Sequence, residues 1–461
     1  MEKVKLKQVD EPEKDCSGSP VALTDKTINE RKHKVLQAMK WRDLDQLIIY
    51  GDVEHGSNFE YLTGYFTRFE EGLLIINRDG DMTLVLGNEN LNKASKSRCE
   101  ANCVHVSLFS LPNQPNRADK TLKELLVEAG IRKNTRIGLA GWKLFTSTVE
   151  NNKRCFDLPV YIVDTIRDIV GDNKLITNET DLFIGENGVR TINNANEIAH
   201  YEYGASLASD CMLDAMNMLD EGVSELELGD KLVRYGQHTS IVTIAAGGPR
   251  YIRGNMFPTD NRIKKGDTVS LTVGYRGGSS SRAGYAVGKE DELPEDVRDY
   301  ISVIAAPYFA AYAKWLESIS IGMKGKELFS VIDEVLPRSV FGWHLCPGHL
   351  TAEEEWLSSP VYENSAEEIK SGMIFQIDII PSVQGYGGVS AESTVALAGG
   401  DLKKDIKEQY PEMWDRMMTR RKYLRNVLGI AVSEDILPMC STVGYLRPFL
   451  LDKRRAFVKD H

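Results

Sequence analysis

Two apolar segments that each carry one acidic residue place the strongest constraint on this chain. Residues 372–380 read Gly-Met-Ile-Phe-Gln-Ile-Asp-Ile-Ile, a pattern that predicts a buried strand carrying Asp378. A glycine-rich turn leads to a second predicted strand, residues 390–397, which carries Glu392. A buried carboxylate is costly unless it is paired, bound to a metal or protonated. The two acids are therefore either structural carboxylates whose burial is compensated by hydrogen bonds or ion pairs, or parts of one polar site.

A histidine precedes both segments. His349 follows Pro347 and Gly348 and precedes a polar stretch, so we expect its imidazole on a tight, loop-like backbone. Together with Asp378 and Glu392 it makes a candidate site. Cys346 lies three residues earlier, and we interpret it as a buried thiol rather than as a nucleophile paired with the histidine.

Composition excludes several classes of protein. The 461 residues contain 56 Lys and Arg against 67 Asp and Glu, a net charge of −11, which argues against nucleic-acid binding. No apolar run reaches the roughly 18 residues that a membrane span needs. Residues 1–24 are polar and lack the apolar core of a signal peptide, so we expect a mobile leader. Seven cysteines, an odd number scattered through a long chain, indicate a reducing, cytoplasmic location.

The first half of the chain alternates between predicted helices and strands. An Asp-Gly turn at 79–80 joins two of the strands as a hairpin. The alternation predicts an α/β domain over residues 25–185. The predicted helices are 25–42 and 119–129, and the predicted strands are 44–50, 72–77, 82–86 and 136–140.

The second half, residues 190–461, begins with a predicted helix at 194–219, which has one apolar face and ends at Gly222. Two strands, 268–275 and 281–287, are expected to pair across a turn of arginine, glycine and serine. Further helices are predicted at 294–319, 326–336 and 411–428.

These motifs resemble a known family. His349, the Gly-Met strand ending in Asp378, and Glu392 followed by Ser-Thr-Val resemble the second half of the pita-bread domain. Creatinase, aminopeptidase P, prolidase and methionine aminopeptidase share that domain. The first helix, Leu-Asp-x-Leu at 44–47 and Tyr-Leu-Thr-Gly at 61–64 resemble the amino-terminal domain of the creatinase and prolidase group. The resemblance implies a smaller N-terminal α/β domain followed by a C-terminal pita-bread domain.

The resemblance also implies a metal site that is incomplete here. Metal-dependent relatives hold two divalent ions with two aspartates, one histidine and two later acids. The histidine matches His349, and the later acids match Asp378 and Glu392. The aspartate positions fall on Thr272 and on Ala283, or on Arg282 after a slip of one residue. We therefore expect no metal cofactor, with one divalent ion on the three remaining ligands as the alternative.

Creatinase resembles this fold and works without metal. Its catalytic histidine would fall on Asn255 and its strand glutamate on Tyr285, so creatine hydrolysis itself is not implied. Its Phe-x-Arg element, which contacts the carboxylate-bearing substrate in the partner subunit's site, matches Phe66 and Arg68. The resemblance thus implies a homodimer with shared sites. The alternative is that Phe66 is an ordinary packed aromatic residue and Arg68 an ordinary surface arginine, with no role in a site.

The remaining candidates for the site lining are mostly cationic. Arginine binds carboxylates in a bidentate manner, and glycines let a loop approach a ligand closely. The candidates are Arg250, Arg253, Arg282 and His344. Residues 353–356, Glu-Glu-Glu-Trp, are interpreted as a solvated face, with Trp356 standing about where the family has a second histidine.

The sequence leads to one hypothesis and two rivals. The leading hypothesis is a metal-independent, creatinase-like hydrolase that cleaves a C–N bond in a small carboxylate-bearing molecule. His349 would transfer protons, while Asp378 and Glu392 would orient it and bind a cationic group of the substrate. The rivals are an Xaa-Pro-type peptidase with a remodelled single-metal site and an inactive protein that binds small molecules. Neither a nucleic acid nor a membrane is an expected partner.

Overall fold

The computed structural model describes residues 3–114, 120–248 and 256–460, which form two compact units. The chain passes from the N-terminal to the C-terminal unit between Thr191 and Ile192. The start of the chain belongs to the C-terminal unit, where strand β1 (Lys3–Gln8) pairs antiparallel with residues 455–460. This corrects the expected mobile leader for these residues. Its physical basis is a two-residue alternation, in which half-buried Val4 and Leu6 alternate with exposed Lys5 and Lys7.

The N-terminal unit spans Leu23–Thr191 and is built on one mixed sheet with the strand order β5-β4-β3-β2-β6-β7. Its elements in chain order are α1 (Asp25–Trp41), β2 (Gln46–Gly51), α2 (Ser57–Thr63), β3 (Gly72–Asn77), β4 (Met82–Leu86), α3 (Asn88–Leu91), β5 (Asn102–His105), α4 (Leu122–Glu128), β6 (Ile137–Ala140), α5 (Val160–Val170), β7 (Ile176–Asn178) and α6 (Asp181–Ile184).

Local chemistry explains why these elements begin and turn where they do. The Thr24 hydroxyl accepts a hydrogen bond from the Thr27 amide and caps α1. The predicted Asp-Gly turn joins β3 to β4, and Gly80 takes the left-handed backbone conformation that such a turn requires, with φ of 94°. Strands β2, β6 and β7 run parallel, and the apolar side chains of α5 cover them. The predicted α/β domain is therefore present.

The C-terminal unit contains a three-stranded sheet, β10-β9-β8, and a four-stranded sheet, β11-β12-β13-β14. Its further elements are α7 (Ala195–Met218), α8 (Glu225–Leu232), β8 (Ile244–Gly247), β9 (Thr268–Tyr275), β10 (Gly278–Tyr285), α9 (Ala306–Ser318), α10 (Gly325–Val335), α11 (Arg338–Phe341), β11 (His349–Leu350), β12 (Ile374–Ile377), β13 (Ser393–Leu397), α12 (Gly400–Gln409), α13 (Pro411–Asn426), β14 (Ile436–Pro438) and β15 (Arg455–Asp460).

Helix α7 lies at the centre of this unit. A reciprocal capping box between Asn194 and Glu197 starts it, as the predicted helix at 194–219 required. Its buried face, including Met212 and Met216, packs against the apolar side of β9. That contact leaves the opposite, polar side of β9 and β10 to face the four-stranded sheet. Among the described helices, none is both long and apolar enough to cross a membrane.

Candidate functional site

Three short strands of the C-terminal unit assemble the histidine and both predicted acids. In the antiparallel ladder, His349 of β11 stands opposite Gln376 of β12, and Ile377 stands opposite Ser393 of β13. Asp378 directly follows β12 and Glu392 directly precedes β13. Backbone pairing thus places these two acids at the same end of the sheet, next to the histidine.

The orientation of His349 is set by its surroundings. Its side chain is fully buried, and its Nδ1 lies 3.2 Å from the carbonyl oxygen of Leu350. A carbonyl only accepts hydrogen bonds, so Nδ1 carries the hydrogen, and Nε2 of the neutral ring bears a lone pair. Trp356 stacks on the ring with centroids 4.1 Å apart. Among the described residues Nε2 has no hydrogen-bond partner, and it is therefore available to take a proton or a cation.

A third carboxylate reaches this nitrogen. Oε1 of Glu355 lies 3.4 Å from Nε2 of His349, closer than Oδ2 of Asp378 at 3.9 Å. The expectation that residues 353–356 form a solvated face is therefore wrong. Glu353 is buried and accepts a hydrogen bond from the Tyr201 hydroxyl, and Trp356 packs on the histidine. No periodic pattern marked Glu355, because it lies on an irregular turn.

Burial and mutual repulsion act on the acids. Burial raises the pKa of Asp378 to about 6, with the Glu355 carboxylate adding to the rise and His349 opposing it. The pKa of Glu392 is raised as well, first by burial and then by the charges of Asp378 and Glu355. Hydrogen bonds partly offset this: the Gln376 amide donates to the Ser279 hydroxyl, which donates to Glu392 Oε1.

This arrangement makes a stability prediction for Asp378→Asn. The pKa of Asp378 in the folded state, about 6, lies above the ordinary value of 3.8. Protonation of Asp378 therefore stabilises the folded state, fully so below about pH 4, and this stabilisation is lost as the pH rises through 6. At pH 7.5 the negative charge on Asp378 lowers the free energy of unfolding by on the order of 2–3 kcal/mol. The variant should therefore unfold at a higher urea concentration than the parent at pH 7.5 and at a similar one at pH 4. Exposed Asp405→Asn is the control, and a destabilised Asp378→Asn at pH 7.5 would show that a cation compensates this carboxylate.

Thr272, the first aspartate position implied by the resemblance, faces another hydroxyl across the β9–β10 hairpin. Thr272 on β9 stands directly opposite Ser281 on β10, and their hydroxyl oxygens are 2.9 Å apart. The turn between the strands is only Arg276-Gly277, shorter than the predicted turn, so β10 begins at Gly278. In this register Ser281 stands opposite Thr272, whereas Ala283 and Arg282, the residues expected at the second aspartate position, stand opposite Ser270 and Leu271.

Arg282 does not line the site. Side chains alternate along a strand, so Arg282 points away from Ser281 and into the protein, where it is 1% exposed. Its guanidinium donates to the carbonyl oxygens of Ser281, Glu392, Thr442 and Tyr445. The predicted substrate-binding arginine is therefore a structural crosslink behind the acids.

The other predicted lining residues are dispersed. Tyr285 is buried, and its hydroxyl accepts a hydrogen bond from the Gly387 amide. His344 is exposed and lines a separate open depression of about 550 Å³ beside Trp343. Arg250, Arg253 and Asn255 lie outside the described residues.

The matching Phe-x-Arg element belongs to the N-terminal unit. Phe66 is half-buried, whereas Arg68 is exposed, with its guanidinium 4.9 Å from the centre of the Phe69 ring. Phe69 is 63% exposed and adopts φ of 65°, an unusual conformation for an aromatic residue. Phe66, Arg68 and Phe69 thus form an aromatic and cationic knob on this unit.

The donor set of the site fits one cation better than two metal ions. Ligand atoms of His349, Glu355 and Glu392 lie within 4.8 Å of one another. Ligands on one divalent ion are at most about 4.4 Å apart, so a small contraction would allow all three to bind one. The hydrogen-bonded Thr272 and Ser281 hydroxyls carry no charge to offset a second dication. The paired-ion centre therefore does not fit these residues.

Sequence profiles match both halves of the chain. The profile "Metallopeptidase family M24" matches residues 199–398. The profile "Creatinase/Prolidase N-terminal domain" matches residues 31–158. Together they span most of both units. A search of curated proteins finds no match.

Solved structures share the fold at low sequence identity. Xaa-Pro dipeptidase from Bacillus anthracis is 16% identical and has a TM-score of 0.61, with 81% of this chain and 96% of that chain covered. Prolidase from Pyrococcus horikoshii OT3 is 18% identical with a TM-score of 0.61, covering 80% and 96%. X-Pro aminopeptidase from Thermotoga maritima MSB8 is 16% identical with a TM-score of 0.60, covering 80% and 94%. At these identities the comparison shows the fold alone.

Proposed function

Because this chain belongs to the creatinase, aminopeptidase P and prolidase family and has its pita-bread fold, we propose that it is a hydrolase that cleaves a C–N bond. Its substrate is a small carboxylate-bearing molecule, and its chemistry does not use the paired metal ions of metal-dependent relatives. One observation carries the proposal: Nε2 of His349 is buried beside three carboxylates and has no hydrogen-bond partner in the part of the chain that the structure describes. The neighbouring hairpin presents the uncharged hydroxyls of Thr272 and Ser281.

The geometry supports a role for His349 in proton transfer. The hydrogen bond from Nδ1 to the Leu350 carbonyl holds the ring in the tautomer whose Nε2 accepts a proton. Nε2 would take the proton from the attacking water as the C–O bond forms and return it to the leaving nitrogen as the C–N bond breaks. Asp378 and Glu355 would stabilise the imidazolium between these two steps.

A single-ion peptidase is the second candidate, because the ligand atoms of His349, Glu355 and Glu392 converge. The triad differs from the set expected from the sequence, since Glu355 replaces Asp378. A bound divalent ion would supply a more acidic water as the nucleophile. An Xaa-Pro substrate would fit this candidate.

The test is turnover by chelator-treated protein of a panel of amides, amidines and Xaa-Pro dipeptides. We expect hydrolysis of at least one member without added metal, and elemental analysis should find no stoichiometric divalent ion. Activity restored only by one ion per chain would favour the single-ion peptidase, and two ions per chain would contradict both candidates. No turnover in either state would favour an inactive binding protein.

We further propose a homodimer in which the knob at Phe66 and Arg68 completes the partner's site. Its support is the exposure of Arg68 and its match to the creatinase element. Light scattering at micromolar concentration should give twice the mass of one chain. A monomer would exclude a catalytic contribution from Arg68 across subunits.

A cytoplasmic location is also proposed. All seven cysteines are free, which suits a reducing compartment.

A further inference from the structure

A glutamine lies in the middle of the apolar strand β12. Gln376 is fully buried and stands directly opposite His349 in the β11–β12 ladder. Its side chain reaches across to β10 of the three-stranded sheet and bonds both main-chain groups of Ser279. Nε2 donates to the Ser279 carbonyl oxygen at 2.8 Å, and Oε1 accepts from the Ser279 amide at 3.3 Å. Gln376 therefore pairs with Ser279 as a residue of a neighbouring strand would, and it joins the two sheets beside the site.

The direction of this side-chain amide is fixed by its partners. The main-chain amide of Ser279 only donates and its carbonyl only accepts, so the two groups determine which end of Gln376 is oxygen and which is nitrogen. The Thr394 hydroxyl also donates to Oε1, at 2.6 Å. A Cβ atom at Gly278 would lie 2.0 Å from that hydroxyl oxygen, so the glycine leaves room for the bond.

The fixed amide also directs the hydroxyl hydrogen of Ser279. Nε2 of Gln376 carries two hydrogens, and it donates one of them to the Ser279 hydroxyl oxygen at 2.8 Å. The hydrogen of that hydroxyl is then donated to Oε1 of Glu392, 2.9 Å away. Both side chains favour the charged form of Glu392 and oppose the rise in its pKa that burial causes. A directed chain of hydrogen bonds thus runs from Gln376 through Ser279 to Glu392.

We propose that Gln376 is a positioning residue of the site, which acts through the Ser279 hydroxyl to hold the Glu392 carboxylate in one orientation. The bond to Oε1 prevents rotation of the carboxylate and leaves Oε2 to accept a hydrogen bond from the water that His349 deprotonates. The role in hydrolysis rests on the proposed function, whereas the chain of hydrogen bonds does not. The alternative is that Gln376 only joins the two sheets.

A double-mutant cycle in urea unfolding of the full chain tests this role without a substrate. Gln376→Met has nearly the same length and makes no such hydrogen bonds. It should lower the free energy of unfolding more in the parent than in Glu392→Gln, because the latter lacks the charge that the chain of hydrogen bonds stabilises. Groups in one network couple in this way, whereas independent sites are additive. The difference should disappear in a Ser279→Ala background, which interrupts the chain.

Two results of the cycle would overturn the proposal. Equal losses in the parent and in Glu392→Gln would mean that Gln376 only joins the sheets. A difference that persists in the Ser279→Ala background would mean that Gln376 acts on Glu392 without the hydroxyl. Gln376→Asn, which is polar but one methylene too short to reach Ser279, takes the place of Gln376→Met if the methionine variant does not fold.

Turnover of a substrate that the parent hydrolyses gives the second measurement. Ser279→Ala should lower kcat about tenfold at nearly constant KM, the effect of one charge-assisted hydrogen bond. Thr394→Val removes another bond of the same amide but keeps both donors of Nε2, so it should lower stability and leave kcat unaltered. Equal kcat values in the two variants would contradict a role in catalysis. A parent that hydrolyses nothing would reject the proposed function, and the unfolding cycle would then decide the positioning of Glu392 alone.

Discussion

Replacing His349 by asparagine is expected to lower turnover by about 10²–10⁴-fold, the range typical of a general acid–base residue. The asparagine amide can still donate to the Leu350 carbonyl in place of Nδ1, but it places no atom where Nε2 stands. The variant therefore keeps the hydrogen bond to the Leu350 carbonyl and loses the nitrogen that accepts the proton. Substrate binding should change much less, because the proton moves only in the transition state.

Two further variants separate chemistry from packing. His344→Asn removes an exposed imidazole five residues away and should leave turnover unaltered. His349→Gln restores a polar atom near the Nε2 position but cannot take up a proton at neutral pH, so it should be as slow as the asparagine variant. An undiminished rate in His349→Asn would mean that this histidine is structural and that the proposed mechanism is wrong.

Long periodic patterns in the sequence predict much of the architecture. The apolar face of residues 194–219 corresponds to α7, and the Asp-Gly turn joins β3 to β4. Strands β12 and β13 lie within the two predicted segments, but they are shorter than predicted, so Asp378 and Glu392 flank them rather than belong to them. These features depend on local chemistry, namely capping, turn geometry and apolar periodicity, and can therefore be derived from one sequence.

The register of the β9–β10 hairpin shows where that reasoning fails. The glycine and serine residues after Tyr275 permit either a long turn or a two-residue turn. The predicted five-residue turn would pair Tyr275 with Ser281, whereas the observed two-residue turn pairs Tyr275 with Gly278, a shift of three residues. Because this number is odd, each β10 side chain lies on the opposite face of the sheet from the predicted one. The observed turn puts Ser281 opposite Thr272 and sends Arg282 into the interior. Composition alone could not distinguish these outcomes, because both leave a polar strand.

Glu355 illustrates a second limit. Its run of charged residues is typical of solvated surface, and its approach to His349 depends on the turn that follows β11. Contacts made by irregular segments depend on tertiary packing rather than on a periodic pattern. Such a residue is found only after the strands around it have been placed.

Converting both hydroxyl positions to aspartate should create a paired-ion centre. Thr272 and Ser281 stand opposite each other on the polar face of the hairpin, and the variant Thr272→Asp/Ser281→Asp would add two carboxylates to His349, Asp378 and Glu392. Without metal the added charges repel the existing acids, so the variant should be less stable than the parent. With Mn²⁺ or Co²⁺, elemental analysis after desalting should find two ions per chain.

The metal dependence of unfolding provides the decisive measurement. An ion present at 100 times its dissociation constant stabilises the folded state by about 2.7 kcal/mol, so two ions should more than offset a modest repulsion between carboxylates. The matched variant Thr272→Asn/Ser281→Asn has the same shape without charge and should neither bind two ions nor gain stability from them. If Thr272→Asp/Ser281→Asp folds yet binds no more metal than the parent, hydroxyls at these positions do not explain the loss of the paired-ion centre. If it binds two ions, the register observed in the hairpin, rather than the one expected from residue counting, defines where the family's aspartates stand.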